Sequence, residues 1–168
     1  MKAIFLDRDG IINIDKSYVH KIEDFKFCEG IFETLQHLLS LDYLLFVVTN
    51  QSGIGRGYYS EDDFKKLTSW MLKEFMHRGI KITKVYYCPH DPNDGCECRK
   101  PKTAMFERAK KEFGIDMQNS WMIGDKLSDI EAGKNAGILN TVFINNHICK
   151  ESSYSVKSIL DIISIIKK

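Results

Sequence analysis

Short apolar runs rich in β-branched residues alternate along this chain with amphipathic stretches of helical period. The runs Ala3–Leu6, Leu44–Val48, Lys84–Tyr87, Trp121–Ile123 and Thr141–Ile144 are apolar almost throughout, as strands of a parallel sheet buried on both faces must be. The stretches between them carry helix signals. Ser60 stands as an N-cap with Asp63 at the capping-box position, Phe64, Leu67, Met71 and Phe75 form a stripe, and Gly79 ends it. Ser128 with Glu131 gives a second capping-box pattern, closed by Gly137. Gly30 to Leu41 and Thr103 to Phe113 complete the set, the latter stopped by Gly114. The C-terminal Leu160, Ile163 and Ile166 recur at helical spacing. This order of elements predicts one doubly wound, Rossmann-like α/β domain over residues 1–168. Only Tyr87 to Lys102, which holds all three prolines, lacks a period.

Composition narrows the function. The chain has 168 residues, 43 % of them hydrophobic and 28 % charged, which suits one domain with a real core. Its net charge of +1 supplies no field for nucleic acid or an anionic membrane, so any anion must be held by local groups. No apolar run approaches the ~18 residues of a membrane span, and Asp7, Arg8 and Asp9 interrupt the N-terminus too early for a signal peptide. We expect a soluble, cytoplasmic monomer. In such a reducing setting the crowding of Cys88, Cys96 and Cys98 suggests a metal. Free thiols, or a disulfide such as Cys88–Cys96, are the alternatives.

In a doubly wound sheet, ligands bind beyond the carboxyl ends of the strands. Asp7-Arg8-Asp9-Gly10 follows the first strand, Thr49-Asn50-Gln51-Ser52-Gly53 the second and Gly124-Asp125 the fourth. Residues at i and i+2 of an extended chain point the same way, so the carboxylates of Asp7 and Asp9 are expected to need a cation between or beside them. With Asp125 they make an oxygen-rich set, the kind Mg²⁺ prefers. A hard dication there lets an anionic nucleophile approach a phosphate. Each acid alone would be an ordinary turn or cap residue; their convergence at strand ends makes a site.

Asp7-x-Asp9-Gly10, the strand ending in Thr49-Asn50, Lys100 and Gly124-Asp125-x-x-x-Asp129 resemble the haloacid-dehalogenase (HAD) superfamily of phosphatases. The stretches FLDRDGIIN, VTNQSGIGRG, CPH…CECRKP and GDKLSDIEAGKNAG are similar to its heptose bisphosphate phosphatase branch, with the histidinol-phosphate phosphatases next to it. The resemblance runs from Ala3 to about Ile144. It implies Asp7 as the nucleophile that takes the phosphoryl group and Asp9 as general acid, then base. It implies Thr49 and Lys100 as holders of the phosphoryl oxygens. Asp125, the Asp7 carboxylate and the Asp9 main-chain carbonyl become the ligands of Mg²⁺. Asp15, Lys16, Ser17, Tyr18, Asn50, Gln51, Ser52, Arg99 and Lys126 become contacts to the remainder of a small sugar phosphate.

The same resemblance implies a structural Zn²⁺ on Cys88, His90, Cys96 and Cys98, a closed Cys₃His set that would fix Arg99 and Lys100 beside the phosphate. The intervals between motifs leave no room for a separate cap domain, so short loops must select the substrate. A heptose bisphosphate phosphatase releasing the 7-phosphate, in the route to ADP- or GDP-heptose for surface glycans, is the leading expectation. A histidinol-phosphate phosphatase and a non-catalytic zinc-loop binding module are the alternatives.

Overall fold

The computed structural model describes residues 1–168. Strands β1 (Ala3–Leu6), β2 (Leu44–Asn50), β3 (Lys84–Cys88), β4 (Trp121–Gly124), β5 (Asn140–Ile144) and β6 (Tyr154–Val156) form one sheet. The order is β3-β2-β1-β4-β5-β6 with every pair parallel. The chain winds outward from β1 through β2 to β3, then returns across the sheet to β4. The crevice beyond β1 and β4 is therefore the switch point at which such folds bind ligands. Leu6 lies opposite both Val47 and Ile123. That register brings Asp7, Thr49 and Asp125 out at one end.

Alternation along the strands divides the core. Ile4, Leu6, Leu45, Val47, Ile123 and Val142 face α1 (Ile31–Ser40) and α3 (Glu61–Met76). Ala3, Phe5, Phe46, Val48 and Met122 face α4 (Ala104–Phe113) and α5 (Leu127–Asn135). Ser60 caps α3 as its sequence predicts, accepting from Asp63 N at 3.0 Å while Ser60 N donates to the Asp63 carboxylate at 2.9 Å. A one-turn helix, α2 (Ser52–Gly55), follows β2 and was not expected.

The structure departs from the sequence reading in four places. Strand β6 adds a sixth member, and its exposed or half-buried residues explain why no apolar run announced it. Helix α5 starts at Leu127 with Lys126 as its N-cap, so Asp129, at the third helical position, replaces the expected Ser128–Glu131 pair: its carboxylate accepts from Asp125 N and Lys126 N, at 3.2 and 3.1 Å. The C-terminus enters α6 (Ile162–Ile165) through a 3₁₀ turn at Ile159–Asp161. That turn shifts the phase, so Ile159, Ile162 and Ile166 are buried whereas Leu160 is exposed. Finally, the two cysteines outside the loop, Cys28 and Cys149, read in the sequence as small core hydrophobes; Cys149 packs with Ile130 and Phe143, but Cys28 is only half-buried.

Candidate active site

The floor of the crevice is a nest of acids. One carboxylate oxygen from each of Asp7, Asp125 and Asp129 lies within 4.8 Å of the others. Gly10 permits this crowding: its φ of +91° turns the chain sharply after the acids, and a Cβ there would come within 2.1 Å of Asp125 Oδ2. Lys100 crosses the nest, with Nζ 2.9 Å from Asp7 Oδ1, 2.7 Å from Asp129 Oδ1 and 2.7 Å from the Val48 carbonyl. Burial and the neighbouring Asp129 push the Asp7 carboxyl up to about 7, against the pull of Lys100. Burial, with repulsion from Asp129 and Asp15, lifts Asp125 to about 6 although Lys126 opposes it. Asp129 and Asp7 hold Lys100 firmly protonated despite its burial. Lys100 inside the nest and Lys126 at its edge still leave negative charge uncompensated among three acids, and Asp125 Oδ1 is buried with no hydrogen-bond partner. A hard dication fits that set.

Asp9 does not join the nest. The extended geometry that would align its side chain with Asp7 is lost because the chain folds back at once: Ile11, Ile12 and Asn13 N–H all converge on the Arg8 carbonyl, and Gly10 N donates to Asn13 O at 2.7 Å. The acid standing with Asp7 and Asp125 is instead Asp129, whose motif position was read but not its place in the site. Asp9 Oδ1 accepts from Arg8 Nη2 and Asn13 Nδ2, each at 3.0 Å, and Oδ2 from Gln51 Nε2 at 3.1 Å. Burial works against its charge, but Arg8, Asn13 and Gln51 outweigh it and keep the carboxyl below its ordinary range. Thr49, wholly buried at the end of β2, accepts from Gln51 Nε2 at 2.9 Å.

Above the floor opens a cavity of about 290 Å³. Asp9, Asp15, Ser17, Tyr18, Asn50, Gln51, Ser52, Arg99 and Lys126 line it, together with Tyr59 and Ser128, which the sequence reading missed. Lys16 is exposed and stands outside the lining. Lys126 Nζ reaches both Asp15 (3.6 Å) and Asp125 (3.8 Å). Arg99 keeps its Nη1 buried without a partner, a donor ready for an anion. The Asn50 side chain is hydrogen-bonded to the Lys100 backbone.

The aperiodic loop closes on itself. Cys88 Sγ lies 2.8 Å from Cys98 Sγ and 3.6 Å from Cys96 Sγ, while His90 Nδ1 is 3.4 Å from Cys88 and 3.2 Å from Cys98. All five cysteines are free. Three sulfurs and one ring nitrogen lie within 4.8 Å of one another, a donor set that suits a metal ion. Docking fixes the loop in place: Gly55 N donates to Pro89 O at 2.8 Å and Gln51 N to Cys88 O at 2.8 Å.

A family model described as HAD-hydrolase-like matches residues 97–156. The D-glycero-alpha-D-manno-heptose-1,7-bisphosphate 7-phosphatase of Campylobacter jejuni is 56 % identical, over 99 % of this chain and 96 % of its own. The D-glycero-beta-D-manno-heptose-1,7-bisphosphate 7-phosphatase of Pasteurella multocida is 48 % identical, over 99 % and 97 %. The chain belongs to the heptose-1,7-bisphosphate 7-phosphatase family. Among solved structures, the D,D-heptose 1,7-bisphosphate phosphatase of B. bronchiseptica, complexed with magnesium and phosphate, superposes with a TM-score of 0.89 at 24 % identity, covering 98 % of this chain and 97 % of that one. This heptose-1,7-bisphosphate 7-phosphatase family member therefore has a HAD-like fold. No helix is long and apolar enough to cross a membrane.

Proposed function

We propose that this protein is a Mg²⁺-dependent phosphatase that releases the 7-phosphate of D-glycero-D-manno-heptose 1,7-bisphosphate. The observation that carries the reading is the buried Asp7, gripped by Lys100 at the floor of a polar cavity whose wall holds the separately oriented Asp9. An Asp7 carboxylate oxygen attacks phosphorus as the bond to the sugar oxygen breaks. Asp9, held ionised in the free protein, takes up a proton when the phosphate's negative charge arrives beside it, and gives that proton to the leaving oxygen. Asp9, now a carboxylate, takes a proton from the water that attacks the aspartyl-phosphate, releasing inorganic phosphate and restoring Asp7. Thr49 and Lys100 hold the equatorial oxygens, where charge develops during each transfer. Asp7, Asp125 and the Asp9 main-chain carbonyl would hold Mg²⁺, which when bound neutralises phosphate charge; Asp129 orients the floor through Lys100 and the backbone of Asp125. Arg99, with Asp15, Ser17, Tyr18, Gln51, Ser52 and Lys126, meets the remainder of the substrate. Asn50 acts through the Lys100 backbone that its side chain holds, and the exposed Lys16 reaches the substrate from the Asp15–Tyr18 loop.

Cys88, His90, Cys96 and Cys98 would hold a structural Zn²⁺ that fixes the loop carrying Arg99 and Lys100. In this reading residues 1–168 form a single domain that works in the cytoplasm as a monomer. Its product would retain the 1-phosphate for nucleotide activation, in the supply of ADP- or GDP-heptose to surface glycans such as lipopolysaccharide. A panel of the α and β bisphosphates, histidinol phosphate and simple esters, with and without Mg²⁺, tests this. Mg²⁺-dependent turnover fastest on a heptose bisphosphate is expected; preference for histidinol phosphate would overturn the substrate, and no turnover at all the chemistry.

A further inference from the structure

Tyr59 precedes the N-cap of α3 and takes no part in the phosphate chemistry described above. Its ring is buried, stacked on His20 with centroids 4.8 Å apart and planes 6° from parallel. It reaches this place because residue 53 is glycine: a Cβ there would come within 2.2 Å of the Tyr59 ring. Its hydroxyl donates to Gln51 Oε1 at 2.5 Å. Gln51 has two amide hydrogens, and both are used, one on Asp9 Oδ2 at 3.1 Å and one on Thr49 Oγ1 at 2.9 Å.

An amide can present either end to its surroundings, and the two ends have opposite chemistry. Turned around, Gln51 would aim its oxygen at the Asp9 carboxylate and leave one oxygen facing another. The Asp9 carboxylate, which can only accept, selects the end that faces it. The buried phenol then secures that orientation by donating to Oε1, which would otherwise lack a partner. Burial lifts the Tyr59 hydroxyl to about 12, so it remains a donor throughout the working range. With Gln51 fixed this way, Thr49 Oγ1 is already accepting a hydrogen bond, and its own proton remains the one it can give to a phosphoryl oxygen.

We propose that Tyr59 is a positioning residue which, by locking the orientation of the Gln51 amide, sets Asp9 and Thr49 together for the two phosphoryl-transfer steps. This rests on the phosphatase reading, and the two can fail separately. Tyr59→Phe keeps the ring, its stacking and the fold while removing the one donor.

The expected result is a fall in kcat of roughly 3- to 10-fold, the net worth of one buried hydrogen bond, with KM unchanged. Gln51→Leu should cost more, and the double variant Tyr59→Phe/Gln51→Leu should be no worse than Gln51→Leu alone. Independently of any substrate, the Gln51 side-chain amide hydrogens should be protected from solvent exchange by NMR and lose that protection in Tyr59→Phe. Unchanged kcat and unchanged protection in Tyr59→Phe would overturn the proposal, as would a rise in KM at constant kcat, the mark of a direct substrate contact. Wild-type protein without phosphatase activity, but with the amide signature intact, would overturn the functional reading and leave the lock standing as structure.

Discussion

Asn50 holds the backbone of Lys100 by both polar groups: its Oδ1 accepts from Lys100 N at 3.0 Å and its Nδ2 donates to Lys100 O at 3.3 Å. The end of β2 is thereby joined to the segment that delivers the cation of the site. Asn50→Ala removes both bonds without adding bulk. The expected outcome is a loss of about 1–3 kcal/mol in urea unfolding, from two hydrogen bonds, and a clear fall in kcat. Unaltered kcat would mean that Lys100 is placed by its side-chain contacts alone.

Lys100 is nearly wholly buried between Asp7 and Asp129. Lys100→Met keeps much of the side-chain volume and leaves the acids facing one another unpaired. Breaking a buried pair of this kind costs about 3–5 kcal/mol. The variant should be inactive and markedly less stable in denaturant titration, with excess Mg²⁺ recovering part of the stability. Stability equal to wild type without metal would show that the acids are relaxed by some other means.

The acid nest makes stability depend on pH in a defined direction. Asp7 titrates near 7 and Asp125 near 6 in the folded protein, against 3.8 in an unfolded chain. Between those limits the folded state binds more protons than the unfolded one, so without metal stability falls as pH rises through this window. A dication competes with those protons. The rise in Tm on adding Mg²⁺ should therefore be larger at about pH 8 than at about pH 5; an equal rise at both would place the metal elsewhere.

Asp9→Asn preserves the shape of the side chain and removes its acid–base chemistry. Turnover should slow by roughly two to four orders of magnitude with KM little changed. Asp7→Asn, which removes the nucleophile, should abolish phosphate release.

Cys98→Ser replaces a thiolate of the four-donor cluster. Elemental analysis should show zinc lost, and Tm and kcat should fall together, because Arg99 and Lys100 directly follow. Full activity without bound zinc would separate the loop from the catalytic site.

Much of this arrangement was legible in the chain, for identifiable reasons. Four of the five expected strands are short apolar runs largely buried on both faces, with β3 a half-buried edge, and the motif residues stand at their ends, so β1, β2 and β4 locate Asp7, Thr49 and Asp125 without long-range information. Strand β6 was not legible: Tyr-Ser-Val at a sheet edge needs no apolar pattern, and its pairing with β5 is a tertiary fact. Asp129 was hidden because an acid in the first turn of a helix reads as a capping-box partner; it is that partner, and its other oxygen also meets Lys100. The direction of the Asp9 side chain depended on three amides converging on the Arg8 carbonyl. Tyr59 gave no signal, since an aromatic beside an N-cap ordinarily fills a core.

The sheet and the cavity wall differ in how freely they can change. The reacting groups rise from three adjacent strands packed on both faces, where almost any replacement would disturb register or charge. Most residues that meet the rest of the substrate ride on loops, around Asp15–Tyr18, Ser52 and Arg99. Asp15, Ser17 and Tyr18 among them are exposed and constrain little beneath them. A lineage built on this scaffold can exchange one phosphorylated metabolite for another by editing those loops, and never needs to reinvent the machinery that breaks the phosphorus–oxygen bond.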